Sequence, residues 1–179
     1  MTQIFLRVLL AILTPTSDAD AEGLHHFAPN EVTVDAAREH LWAARVASAV
    51  YDVDVDMTIA IAYHESRLHD GAVGPESGGR VSCGAMTPYP TERCEKKSLL
   101  AQYLDGTRHW AVDWRRAGDV RDEREVLLGF AGGYRLIRAC RQGPVLRHGT
   151  WGDDLCRTPE VFAAIRARIV AARQLRAAS

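Results

Sequence analysis

Apolar residues along this chain recur at intervals of three and four, and strand-like alternation is nearly absent. That spacing confines the chain to helical folds, because a stripe recurring about every 3.6 residues can be buried along its length only on a helix. Residues Ala36 to Tyr51 place Ala37, Leu41, Ala44, Ala47 and Tyr51 on one stripe, with Asp35 as N-cap and His40 and Ser48 at the stripe's edge. The next helix is expected to open at Asp56 and run through Met57, Ile59, Ala60, Ile61 and Tyr63 to Ser66. It is apolar on most sides until His64-Glu65, which predicts a central, buried helix. Thr91 is expected to open a helix carrying Leu99, Leu100, Tyr103 and Leu104, extended past Gly106 by Trp110 and Trp114 at four-residue spacing. Asp119 or Asp122 caps another, with Val126, Leu127, Phe130, Tyr134, Ile137 and Cys140. Thr158-Pro159-Glu160 is a helix start with Pro at N1 and an acid in the first turn. Val161, Ile165, Ile169 and Ala172 form its core face, and Arg166, Arg173 and Arg176 its wet face. The expected fold class is all-α, interrupted at residues 69 to 90 by a long loop rich in Gly and Pro. Long loops in compact domains are usually functional.

The length of 179 residues suits one domain. A hydrophobic fraction of 47% and a charged fraction of 25% are ordinary for a globular chain. Net charge is −1, which excludes the strongly basic profile of a nucleic-acid binder. No apolar run approaches the ~20 residues that span a bilayer.

Residues Ile4 to Leu13 are apolar except for Arg7, and a polar stretch then ends in Ala19-Asp20-Ala21. This reads as a secretory signal over residues 1–21 with cleavage after Ala21, followed by a single domain over 22–179. The alternative is a short N-terminal core helix. Cysteines 83, 94, 140 and 156 are even in number and contain no C-x-x-C pair, so neither a zinc ribbon nor a redox dithiol fits. Two disulfides agree with export to the periplasm or cell exterior. Of three connectivities, proximity favours Cys83–Cys94 and Cys140–Cys156; the alternative is four reduced thiols.

Glu65 ends the most apolar helix and directly precedes the glycine-rich loop. A carboxyl group so placed is expected to be partly desolvated and to stay protonated near neutrality, as a general acid must. The structural alternative is a glutamate paired at a helix end, for instance with Arg67. His64 and His69 suggest a zinc protease, but they are five residues apart. On a regular helix that sets them about 140° apart, so both cannot face one ion. No metal and no cofactor is expected, and the two histidines read as flanking structure.

The segment from Ile59 to His69, with His64-Glu65-Ser66 at its centre, resembles the apolar helix ending in Glu-Ser of the soluble-lytic-transglycosylase-like, goose-type-lysozyme-like lytic transglycosylases. Asp70 to Gly74 is similar to that family's turn after the glutamate. Gly84, Ala85, Met86 and Thr87 resemble its Gly-Leu-Met-Gln stretch, which lines the sugar groove. Leu127 to Gly133 sits where the family has Ala-Tyr-Asn-Ala-Gly. Thr87 stands in place of the usual glutamine, and Phe130 and Ala131 in place of the Tyr-Asn pair. Tyr134 lies four residues beyond Phe130, on the same face of a continuous helix, where its hydroxyl could replace the missing one.

The resemblance implies a lysozyme-like helical domain that cleaves the β-1,4 bond between N-acetylmuramic acid and N-acetylglucosamine in peptidoglycan. It implies Glu65 as catalytic acid and base, with Ser66, Gly84, Ala85, Met86, Thr87, Phe130 and Tyr134 around the glycan strand. The expected product carries a 1,6-anhydro end, and the expected enzyme is a cofactor-free monomer. Two other readings share these residues: a hydrolytic goose-type lysozyme, and a non-catalytic peptidoglycan-binding module.

Overall fold

A computed structural model describes residues 2–73, 83–86, 97–146 and 154–177. Seven α-helices account for most of them: α1 (Thr2–Leu13), α2 (Asp18–Phe27), α3 (Val34–Tyr51), α4 (Val55–Ser66), α5 (Leu99–Arg108), α6 (Glu123–Cys140) and α7 (Thr158–Ala177). The fold is all-α, and pairing between extended segments among the described residues is limited to two isolated bridges, Val73 with Cys83 and Leu146 with Asp154. The Thr91 end of the expected third helix lies outside the described residues; α5 opens at Leu99 on the cap of Ser98.

α4 is the centre of the molecule. Thr58, Ile59, Ala60, Ile61 and Ala62 are all fully buried, and α3, α7 and the following segment cover them. Burying an isoleucine-sized side chain contributes about 1.5–3 kcal/mol, so Ile59, Ile61, Phe162 and Ile169 supply much of the drive for packing α4 against α7. Alanines 43, 44 and 47 of α3 are fully buried among its neighbours.

Several local expectations are corrected. Thr33 caps α3, because Asp35 lies inside the first turn and pairs with Arg38 at 2.6 Å. Asp54 caps α4 through Met57 N–H at 2.7 Å, and it also takes a bidentate pair from Arg166. Asp56, within the first turn, pairs instead with Arg173. Arg173 is therefore not on a wet face: it is held between Asp56 and Asp20, joining α7 to α4 and α2. Val161 is exposed at the edge of the α7 stripe, and Phe162 takes the core position. His40 and Ser48 are buried inside the α3 interface rather than at its edge, because each finds a polar partner there: Tyr103 at 2.8 Å and Thr58 at 3.0 Å.

The largest correction concerns α6. Gly132 and Gly133 leave helical geometry, Gly133 with φ +69°. Glu125 near the start of α6 and Arg141 just after its end form a bidentate pair at 2.8 and 2.7 Å. In a continuous helix these residues would stand about 24 Å apart. The chain thus doubles back at the two glycines, and Phe130 and Tyr134 do not share one helical face. Arg141, with the Arg121 backbone N–H, holds the Glu125 carboxyl well below the usual carboxylate range. α5 continues past Gly106 as expected, but its extension is a single π-helical turn, His109–Asp113.

At the N-terminus, α1 leaves Ile4, Phe5, Leu6, Leu9, Leu10, Ile12 and Leu13 exposed, and Ala11 is its buried residue. That is not the profile of a core helix. Ala21 is fully buried in the first turn of α2. No described helix is long and apolar enough to cross a membrane.

Cys140 and Cys156 are disulfide-bonded. Cys83 is also disulfide-bonded, and Cys94, its expected partner, lies outside the described residues. The 140–156 bond closes a loop with a sequence separation of 16. Replacing Cys140 and Cys156 together by serine should remove about 3 kcal/mol of stability, which for a chain of this size lowers Tm by roughly 6–12 °C. An unchanged melting curve would show that the bond does not constrain the chain.

Candidate active site

The last turn of α4 carries Tyr63, His64, Glu65 and Ser66, and the helix stops at Arg67, which adopts the left-handed conformation with φ +57°. Leu68 follows, also left-handed, with its side chain buried. Two consecutive left-handed residues turn the chain sharply away from the helix axis. The Glu65 side chain is 23% exposed, so most of it is covered. Its Oε1 lies 3.0 Å from His64 Nδ1. Arg67, the partner expected if Glu65 were structural, instead places its guanidinium over the Tyr63 ring at 4.7 Å.

Ser66 is buried and points inward. Its hydroxyl oxygen lies 2.9 Å from the Ala62 carbonyl and 2.7 Å from the Ala85 carbonyl, and its single proton is shared between them. The second contact places the Gly84–Met86 segment beside the residue that follows Glu65. The same segment is clamped from the other side. Gln102 accepts from Ala85 N–H at 2.6 Å, and its amide donates to the Lys97 carbonyl at 3.1 Å. Gly84 sits at φ +92°, and a Cβ there would stand 2.6 Å from Gln102 Oε1, so the position requires glycine. Met86 is fully buried against Gly106, where a Cβ would come within 2.4 Å of the methionine Cβ.

The structure therefore joins Ser66, the residue after Glu65, to the Gly84–Met86 segment. The side chains of Ser66, Ala85 and Met86 face inward and hold the segment in place, so any surface it offers a ligand is backbone. Thr87 lies outside the described residues. Phe130 and Tyr134 belong to a second group, built on the π-helical turn. The Trp114 indole N–H donates to His109 Nε2 at 3.2 Å, Phe130 packs 5.6 Å from the His109 ring, and Tyr134 packs 5.0 Å from the Trp114 ring. Burial pushes the His109 pKa down, opposed by Asp113. Tyr134 keeps 38% of its surface exposed at the edge of this group. His69 is set apart from His64 and lies 3.5 Å from Glu31. Among the described residues no cluster of three or more His, Cys, Asp or Glu side chains could hold a metal.

Two supporting residues escape a reading of the sequence motifs. Gln102 left a usable signal: it is a polar residue on the apolar face of α5, beside Tyr103 and in line with Leu99 and Gly106. His40 left none, because its partners come from distant elements. It meets Tyr103 Oη at 2.8 Å, joining α3 to α5. Burial pushes the His40 pKa down from 6.5 to about 4, against the attraction of Asp70. The ring is thus neutral when folded and gains a proton more readily when unfolded. Its contribution is complete above the unfolded pKa and is lost as pH falls from 6.5 toward 4. Between pH 7 and about 4.5 this linkage removes on the order of 2–3 kcal/mol. Denaturant titrations at both pH values should show that loss in the wild type and a smaller one in His40→Gln. Equal losses would mean that His40 is not the linked group.

Compared with protein-family models, with curated proteins and with solved structures, the chain matches none of them.

Proposed function

We propose that this chain is an exported lytic transglycosylase acting on the glycan strands of peptidoglycan, with Glu65 as its single acid and base. The observation that carries the reading is the placement of a mostly covered glutamate side chain at the exit of a buried helix, joined through Ser66 to the Gly84–Met86 backbone. That junction links the two segments whose residues resemble the family's catalytic helix and sugar-lining stretch. The disulfide between Cys140 and Cys156 supports an oxidising compartment, periplasmic or extracellular.

In this reaction the protonated Glu65 donates its proton to the glycosidic oxygen as the bond to C1 of the muramoyl residue breaks, its electron pair leaving with that oxygen. The muramoyl 6-hydroxyl then bonds to C1 and returns its proton to Glu65, closing a 1,6-anhydro ring. Charge and protons balance without water or a second carboxylate, in contrast to ordinary glycosidases, which use a pair.

One observation favours a different reading. Phe130 and Ala131 replace the Tyr-Asn pair, and the break at Gly132–Gly133 removes Tyr134 from the face where its hydroxyl would substitute. A glycan-binding module without turnover fits those changes. Release of soluble fragments from purified sacculi separates the two. Glu65→Gln keeps the shape and removes the titrating proton, so release should fall by about 10²–10⁴-fold with little change in Tm. Undiminished release by Glu65→Gln would overturn the catalytic assignment. Wild-type protein that binds sacculi and releases nothing would establish the binding module.

A further inference from the structure

His64 stands beside Glu65 in sequence, and neighbours on a helix point about 100° apart and do not normally face each other. Here they meet: His64 Nδ1 is 3.0 Å from Glu65 Oε1. The imidazole is held in that orientation by α7, where the fully buried Phe162 ring packs perpendicular to it at 4.8 Å between centroids. The His64 side chain is 38% exposed, so its ring is braced on one side and wet on the other. A surface histidine clamped by a core aromatic and turned onto an adjacent carboxyl is a specific arrangement.

We propose that His64 is the positioning residue of Glu65, with its Nδ1–H donating to Oε1 so that the acidic proton resides on Oε2. This rests on the assignment of Glu65 as the acid. The chemistry requires the direction of the bond. If the carboxyl O–H donated to His64 instead, the proton would be held by imidazole rather than presented to the glycosidic oxygen. With Nδ1–H as donor, Oε1 is occupied as an acceptor, the rotamer of the carboxyl is fixed, and Oε2 carries the proton that is transferred and later returned. His64 touches neither sugar nor reacting atoms; it acts through Glu65.

The test compares three substitutions of His64 in the full-length protein, assayed on purified sacculi together with Glu65→Gln. Asn places its side-chain N–H on the δ position, where His64 carries Nδ1, whereas Phe keeps the ring and its contact with Phe162 but has no donor. His64→Ala should lower kcat about tenfold to a hundredfold with KM changed by less than about twofold, as for a lost hydrogen bond to a group that changes charge. His64→Asn should recover most of that loss and His64→Phe none. Full activity in His64→Ala, or recovery by Phe and not by Asn, overturns the proposal while an inactive Glu65→Gln leaves the catalytic assignment standing. An active Glu65→Gln overturns both. Nitrogen-15 NMR of the imidazole reads the geometry without turnover: the Nδ1–H tautomer is expected, and the Nε2–H tautomer contradicts it.

Discussion

The shared hydroxyl proton of Ser66 is a small interaction on which the candidate site depends. α4 is buried almost to its end, so the carbonyls of its last turn have few routes to water. The Ser66 hydroxyl donates back to the Ala62 carbonyl one turn earlier and in the same bond reaches the Ala85 carbonyl in a separate segment. Leaving such groups unmet in the interior costs about 1–3 kcal/mol each. The helix terminus and the Gly84–Met86 segment are thus docked by the requirement that satisfies them. Glu65 stands one residue earlier.

Polar bonds of this kind recur wherever elements meet. Ser48 with Thr58 joins α3 to α4, His40 with Tyr103 joins α3 to α5, and Arg173 with Asp20 and Asp56 joins α7 to α2 and α4. Each satisfies a group that close packing has sheltered, and each restricts how one helix can slide over the next. Alanines 43, 44 and 47 are fully buried between these contacts, and the polar pairs set the register.

The helical class and the central position of α4 were legible in the sequence because both follow from local periodicity. Ile59, Ala60, Ile61 and Ala62 leave no polar face until His64, and only a buried helix accommodates that. The pairing of Cys140 with Cys156 was legible from proximity. What depends on distant partners was not. His64 looked like a flanking residue because Phe162, which orients it, lies on α7. Arg173 looked solvent-facing because its acidic partners lie on α2 and α4. The cap of α4 lies two residues before the expected Asp56, at Asp54, and Asp56 pairs with Arg173 instead. The doubling back of α6 had a local sign, the Gly132-Gly133 pair, but the bond that fixes it joins Glu125 to Arg141 across the turn. Tyr134 consequently belongs to the Trp114 aromatic group rather than to a continuous face with Phe130.

A single carboxyl that acts as both acid and base leaves a signature in the product. Purified peptidoglycan digested with the wild-type protein and resolved by mass spectrometry reads it directly. Muropeptides ending in 1,6-anhydro-N-acetylmuramic acid, lighter by one water than the hydrolytic products and absent from the Glu65→Gln digest, are expected. Reducing-end products bearing that extra water would contradict the transglycosylase chemistry, and an unchanged glycan would contradict catalysis at Glu65 altogether.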